Sequence, residues 1–152
     1  MVTIAKRKNI PESKYLKGLN EAVENIQEAV DNLEHGSVVG LANALLYIAT
    51  ESQQRAPVDT GDLRGSVEVK IDGEQYAHGE KSGGITITST LPDTATKGEV
   101  SYNTKYAANQ HEHTEYDHPK GGQAKYLESV LVEEKDRILK LIAEGIINEM
   151  MK

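Results

Sequence analysis

The densest group of side chains that could carry out chemistry lies in one short polar stretch. Residues 110–118 contain three imidazoles and three carboxylates, in the order His111, Glu112, His113, Glu115, Asp117 and His118. Imidazole and carboxylate groups are ligands for zinc and other divalent ions. On a strand His111 and His113 would share a face, whereas on a helix they would lie roughly 200° apart. One interpretation is a metal-dependent hydrolase with His111, His113 and His118 as ligands and Glu112 as base.

The spacing of this histidine cluster favours a different interpretation. It does not match the H-E-x-x-H helix, and a polar loop or protein interface has the same composition. The chain has no cysteine, which excludes thiolate ligands, disulfides and cysteine nucleophiles. No serine lies in a G-x-S-x-G or S-x-x-K motif, and neither Gly83-Gly84 nor Gly121-Gly122 has phosphate-loop spacing. We therefore predict no catalytic residue, cofactor or metal.

The charge balance is acidic, but the chain begins with a basic segment. The 152 residues include 17 Lys and Arg against 24 Asp and Glu, a net charge of −7. An acidic body repels a phosphate backbone, which argues against a protein that wraps nucleic acid. We expect a flexible basic arm over residues 1–11 and a single domain over 12–152. No run approaches eighteen apolar residues, so no membrane segment is expected. The basic residues near the beginning of the chain are Lys6, Arg7, Lys8, Lys14 and Lys17.

The spacing of apolar residues predicts two helices before residue 56. We expect the first over about 12–34, ended by Gly36 as a left-handed cap. The second, over about 38–55, should end before Pro57, because the residue preceding proline is disfavoured in the α region. The apolar seam of the first helix has the spacing that is also found in coiled coils, although its short length favours pairing with another helix of the same chain. This seam consists of Leu16, Leu19, Val23, Ile26, Val30 and Leu33.

Alternating and β-branched residues predict a small sheet in the middle of the chain. Val67, Val69 and Ile71 would share one face of a strand, followed by a turn at Asp72-Gly73. Two further segments are rich in β-branched residues or alternate in the same way. The expected strands cover about 65–72, 84–91 and 98–103.

The remaining elements predict the fold class. A short helix is expected near Tyr106–Glu112, then a polar loop over 112–122 and a long helix over about 123–150. Strands clustered between helices indicate an α+β fold. We expect a small antiparallel sheet of about three to four strands packed with the N-terminal helices and the long C-terminal helix.

Two segments that bracket the expected sheet resemble a known family. The first is A-P-V-D-T-G-D-L-R-G-S over residues 56–66. The second begins at Tyr106-Ala107, runs through Q-H-E at 110–112 and ends in H-P-K-G-G-Q-A-K-Y-L-E over 118–128. They resemble the tail-completion, or neck, proteins of tailed bacteriophages, also called minor tail components or minor capsid proteins. His113-Thr114 departs from the aromatic residue or Gly-Thr pair of many relatives.

The resemblance implies a non-enzymatic virion structural protein. It implies a ring, typically hexameric, at the head-tail junction, as a tail terminator or neck component that joins the tail tube to the head connector. The implied partners are further copies of the chain, a head connector or stopper protein, tail-tube or tail-terminator proteins, and packaged DNA passing without sequence-specific binding. The implied location is the virion neck or tail, with assembly in the host cytoplasm.

The family motif also suggests which residues lie at subunit interfaces. Pro57 would stop the helix, Gly61 would form a turn, Leu63 would enter the core and Arg64 would be available to a neighbour's carboxylate. A host interaction module that uses the basic arm and the helical seam is a third interpretation. The candidate interface residues are Pro57, Asp59, Thr60, Gly61, Leu63, Arg64, Tyr106, His111, Glu112, His118, Gly121, Gly122, Lys125, Tyr126 and Glu128.

Overall fold

The protein has the predicted α+β fold, in which a four-stranded antiparallel sheet and the C-terminal helices both pack against one long N-terminal helix. The structure, a computed structural model, describes the backbone of residues 14–152 and the side chains of residues 19–152. The expected arm over 1–11 and the expected helix start at residue 12 lie outside these residues. The elements are α1 (Lys14–Arg55), α2 (Asp62–Gly65), β1 (Val67–Ile71), β2 (Glu74–Gly79), β3 (Ile85–Ile87), β4 (Gly98–Tyr102), α3 (Ala107–Glu112), α4 (Tyr126–Glu133) and α5 (Lys135–Met150).

Helix α1 is continuous through Gly36, so the prediction of two helices over 12–34 and 38–55 is wrong. The glycines of this region allow α5 to pack closely. A Cβ added to Gly40 would lie 2.4 Å from the carbonyl oxygen of Ile142, and one added to Gly145 would lie 2.4 Å from the Cα of Gly40. Gly36 makes a similar approach to α5. These glycines therefore serve helix packing, and Gly36 does not end a helix.

The sheet has the strand order β3-β2-β1-β4, with every neighbouring pair antiparallel. The strands predicted over 65–72 and 98–103 are confirmed as β1 and β4. The turn at Asp72-Gly73 is also confirmed; both residues have positive φ, as a two-residue hairpin turn requires. Val67, Val69 and Ile71 are buried on one face, against Ala42, Leu45 and Ala49 of α1.

Two strand predictions need correction. β2 was not predicted, because Glu74–Gly79 lacks the expected alternation and becomes a strand through pairing with β1 on one side and β3 on the other. The strand predicted over 84–91 is shorter, since β3 ends at Ile87. Just beyond it, the Ser89 hydroxyl donates to the Gln75 carbonyl at 3.1 Å, a side-chain bond in place of a backbone ladder bond.

The long helix predicted over 123–150 is two helices, interrupted at Glu134 (φ −105°, ψ 15°). Two side chains of α1 hold this residue. The Tyr47 hydroxyl donates to Glu134 Oε2 at 3.0 Å, and Arg55 Nη2 lies 3.3 Å from Glu134 Oε1. These contacts fix the interruption beside α1, where the chain passes from α4 to α5.

The predicted helix start at residue 123 is also wrong, because α4 begins at Tyr126. The amide of Gln123 donates to the Arg55 carbonyl at 2.8 Å, and the amide of Lys125 donates to the His111 carbonyl at 2.7 Å. Lys125 has a left-handed backbone, with φ +55°. The loop predicted over 112–122 consequently covers 113–125. No helix among residues 14–152 combines the length and apolar character needed to cross a membrane.

Candidate functional site

The first motif segment forms a tight turn at the end of α1. The helix ends at Arg55, as the position of Pro57 predicts, and Pro57 and Leu63 are buried. Gly61 has φ +88°, and a Cβ at this position would lie 2.6 Å from the Lys81 carbonyl oxygen. Both the backbone conformation and the close approach therefore require glycine. The Thr60 hydroxyl accepts a hydrogen bond from the Asp62 amide at 3.3 Å, which stabilises the turn.

Arg64 has an internal partner, in contrast to the expectation that it is available to a neighbour. Its Nε and Nη2 donate to the Ala56 carbonyl at 3.2 and 3.1 Å, and Nη2 also donates to the Gln54 carbonyl at 3.1 Å. The last carbonyls of a helix have no partner within the helix. Arg64 therefore caps α1 and fixes the direction in which the chain leaves it.

The second motif segment packs directly on this turn. The Val58 amide donates to the Gly121 carbonyl at 3.2 Å, next to the bond between Gln123 and Arg55. Gly122 has φ +94°, and an added Cβ would lie 2.4 Å from the Cα of Pro57. The two segments, about sixty residues apart in the chain, thus form one backbone-bonded corner.

A partly open cleft of about 420 Å³ lies at this corner; we call it the corner cleft. Its walls combine apolar groups with exposed polar groups. Lys120 Nζ lies 3.0 Å from Asp59 Oδ1 across the two segments, and both side chains are mostly exposed. His118 has a buried Nε2 without a hydrogen-bond partner among the described residues. The lining residues are Pro57, Val58, Asp59, Thr60, Gly61, Leu63, Tyr106, Gln110, Asp117, His118, Pro119 and Lys120.

Tyr126 is the centre of a second, buried part of the site. Its hydroxyl donates to the Ala107 carbonyl at 2.8 Å, and the side chain is 1% exposed. The rings of Tyr102 and His111 meet it edge-on, each with centroids 4.9 Å away. Burial raises the pKa of Tyr126 to about 12. The ring therefore stays a neutral hydrogen-bond donor that fixes α4 against α3.

A network of charged groups lies beside Tyr126. Lys125 Nζ contacts carboxylate oxygens of both Glu112 and Glu128. His111 Nδ1 lies 2.6 Å from Glu112 Oε1, and the Glu128 amide donates to His111 Nε2 at 3.2 Å. The hydrogen bonds from Lys125 and then from His111 lower the pKa of Glu112, while Glu112 and Glu128 raise the pKa of Lys125. Since His111 Nε2 accepts, Nδ1 carries the proton in this arrangement.

The three histidines of the alternative hydrolase interpretation do not form one group. Within the described part of the chain, the group of metal-ligating side chains with atoms inside 4.8 Å of one another is His111, Glu112 and Glu128. The Lys125 ammonium already supplies a cation to both of these carboxylates. His113 instead contacts Glu115 at 2.6 Å and stacks on Tyr116, with centroids 4.7 Å apart. His118 faces the corner cleft.

The structure thus sorts the candidate residues into two adjoining sets. One set lies around the corner cleft and comprises Pro57, Asp59, Thr60, Gly61, Leu63, Tyr106 and His118, with Gly121 and Gly122 beside it. The other comprises His111, Glu112, Lys125, Tyr126 and Glu128. Arg64 belongs to neither set. The cleft is also lined by residues that were not predicted, whose only signal is their position inside or beside the motif segments: Val58, Gln110, Asp117, Pro119 and Lys120.

Comparison of the chain with family models, with curated proteins and with solved structures finds no match.

Proposed function

We propose that this chain is a non-enzymatic structural subunit of a tailed bacteriophage or phage-like particle. In this proposal it forms a homo-oligomeric ring, typically a hexamer, at the head-tail junction and joins the tail tube to the head connector. Its partners are further copies of itself, the connector or stopper protein and the tail-tube or terminator proteins. Packaged DNA passes through the ring without sequence-specific binding.

The observation that carries this proposal is the convergence of the two family-like segments. They are separated by the whole sheet in the chain, yet backbone bonds from Val58 to Gly121 and from Gln123 to Arg55 join them. Nine of the fifteen candidate residues line the corner cleft or join its two segments, and five others form the adjoining set around Tyr126. Residues in such an arrangement shape a surface, which is the task of an assembly subunit.

The chemistry of the site supports an architectural role. Both nitrogens of His111 are engaged, and Glu112 and Lys125 neutralise each other. Asp59 and Lys120 form an exposed pair at the cleft rim. A general base or nucleophile needs a free reactive atom within reach of a substrate. His111, Glu112 and Lys125 instead bond to one another, as do Asp59 and Lys120, and the Nε2 of His118, unpartnered within the described part of the chain, is buried.

The net charge of −7 also fits the proposal. A negative channel wall lets DNA slide because it makes few phosphate contacts. If carboxylates of the channel wall are reversed to lysine, we expect slower genome release from assembled particles, measured by the rate of DNA ejection. Unchanged ejection would count against a DNA-lining role.

Two measurements on purified protein test the assembly role. Light scattering over a concentration series should give either a ring mass or a smaller species that becomes a ring when connector or tail-tube protein is added. Metal content is determined on the same sample. A metal-loaded monomer that is indifferent to these partners would overturn the proposal and restore the hydrolase interpretation.

A charge reversal in the corner cleft makes the test specific to the site. Lys120→Glu removes the pair with Asp59 at an exposed position, so the fold should be retained. Lys97→Glu is the matched control, because Lys97 is also exposed and lies outside the cleft. We expect Lys120→Glu to reduce ring or joint formation at least tenfold, and the control to have little effect.

A further inference from the structure

The N-terminal half of α1 extends beyond the helix that packs against it. α5 runs antiparallel to α1, from the contact of Glu134 with Tyr47 to the contact of Glu149 with His35 at 3.9 Å. α5 ends at Met150, so about 30 Å of α1, residues 14–34, continues past it. Among residues 19–35 no side chain is buried, and Gly36 is the first buried position among the α1 residues whose side chains the structure describes.

This extension carries a regular apolar stripe. Leu19, Ile26 and Leu33 recur at intervals of seven and are 51%, 54% and 46% exposed. Val23 and Val30 lie between them, so the spacing alternates between four and three, as in a coiled-coil seam. We call these five residues the α1 seam. Side chains of this kind at such exposure are a surface that a partner can cover.

The α1 seam continues the face that α5 covers. Adding seven to Leu33 gives Gly40, and adding seven again gives Tyr47. Gly40 packs against Ile142, and Tyr47 donates to Glu134. Residues seven apart drift only about 20° around a straight helix. One face of α1 is therefore covered by a helix over its second half and exposed over its first half.

The charges of the extension are arranged so that a like helix can pair with it. The acidic residues Glu21, Glu24, Glu28 and Asp31 lie off the α1 seam, and Glu34 flanks it at its end, next to Leu33. The positions that flank the seam are mostly uncharged, namely Asn20, Ala22, Gln27 and Ala29. Two copies can thus bring their seams together without opposing carboxylates at the contact.

We infer that the α1 seam pairs with the same seam of a second copy of this chain, in a short, parallel, in-register coiled coil. Valine occupies the a positions and leucine two of the three d positions, with Ile26 at the third; β-branched residues at a combined with leucine at d favour two parallel strands. The covered second half of the same face shows that α1 accepts a helix there. This inference does not depend on where in a particle the chain assembles.

Because the chain has no cysteine, single cysteines report the pairing directly. Leu19→Cys and Leu33→Cys are each oxidised in the full chain at micromolar concentration, and disulfide-linked dimer is quantified on a non-reducing gel. In a parallel pair each seam position meets its own copy. We expect at least a fivefold excess of dimer over Asn25→Cys, an exposed control off the seam. Unchanged far-UV circular dichroism confirms that the variants fold.

A second substitution tests whether the cross-link depends on the apolar side chains of the α1 seam. Ile26→Lys added to Leu19→Cys should reduce the dimer to the level of the Asn25→Cys control, whereas Glu28→Gln added to Leu19→Cys should not. Equal cross-linking at seam and control positions would overturn the inference. So would a link that forms only in a mixture of Leu19→Cys with Leu33→Cys, because this indicates antiparallel pairing. If the seam cysteines are protected from alkylation but no disulfide-linked dimer forms, another segment or partner covers the α1 seam, and this result would also overturn the inference.

Discussion

Two adjacent glycines at the corner cleft have similar backbones and different surroundings. Gly121 has φ +100° with nothing within 4 Å of an added Cβ, whereas Gly122 has φ +94° with the Cα of Pro57 at 2.4 Å. We expect Gly121→Ala to lower the free energy of unfolding by about 1 kcal/mol, the cost of a left-handed alanine. Gly122→Ala should cost about 3 kcal/mol, because the clash adds to it. Urea denaturation measures both, and equal losses would contradict the close packing of the two motif segments.

The Glu112 carboxylate predicts a pH dependence of stability. Hydrogen bonds from Lys125 and His111 lower its pKa in the folded state. A lowered carboxyl pKa contributes stability above the unfolded pKa, and this is lost as pH falls through the folded value. We therefore expect wild type to be more stable than Glu112→Gln at neutral pH, and the difference to vanish in acid. Denaturation series at pH 7 and in steps below pH 5 test this, and a constant difference would argue against the network.

At the scale of whole elements, the crossing of α1 and α5 depends on glycine where helix propensity favours alanine. Alanine is more favourable than glycine in a helix by about 1 kcal/mol. At position 40, however, a Cβ would meet the Ile142 carbonyl oxygen at 2.4 Å. We expect Gly40→Ala to lower the melting temperature, with a net loss of about 1–2 kcal/mol. The control Asn43→Ala, at an exposed position on the same helix, should instead gain about 0.5 kcal/mol from propensity alone. A more stable Gly40→Ala variant would refute close helix packing.

These glycines also explain which elements the sequence could predict. Val67, Val69 and Ile71 carry their own periodic signal, and β1 was predicted correctly. Gly36 is compatible with either a helix cap or a close helix crossing, and its contacts with Gly145 and Ile146 of α5, more than a hundred residues later, distinguish the two. β2 depends in the same way on its two neighbouring strands. The pattern of neighbouring residues predicts those elements that local preferences stabilise. The other elements depend on tertiary contacts, which the sequence pattern does not contain.

The features of the candidate site likewise divide into those set by local backbone chemistry and those set by tertiary packing. The breaks at Pro57 and Gly61 follow from local backbone chemistry and were predicted. The partners of Arg64 and His111 are set by the way the segments pack, so the sequence left Arg64 available to a neighbour's carboxylate and grouped His111 with His113 and His118 only in the hydrolase alternative. In the structure, Arg64 donates a hydrogen bond to a carbonyl at the end of α1, whereas His111 contacts Glu112 and the ring of Tyr126.

At the scale of the whole molecule, one buried glutamine connects the helical layer to the sheet. Gln53, near the end of α1, is 2% exposed. Its Nε2 donates to the carbonyls of Arg64 at 3.1 Å and Gly84 at 2.9 Å, and its Oε1 accepts from the Gly84 amide at 2.8 Å. It therefore joins α1 to α2, just before β1, and to the β2–β3 connection. We expect Gln53→Ala to cost about 2–3 kcal/mol in urea denaturation, and Gln54→Ala, exposed next to it, to cost less than about 0.5 kcal/mol.

The variant Gln53→Glu separates these hydrogen bonds from packing, because glutamate fills the same space. At neutral pH its carboxylate would face the Arg64 and Gly84 carbonyls without a proton to donate, and burial also disfavours the charge. Its pKa should therefore be raised in the folded state, so the variant gains stability relative to wild type as pH falls, when the protonated acid donates again. Thermal melts at pH 7 and pH 5 measure this. A Gln53→Glu variant equal to wild type at both pH values would mean that α1 is held to the sheet by apolar contacts alone.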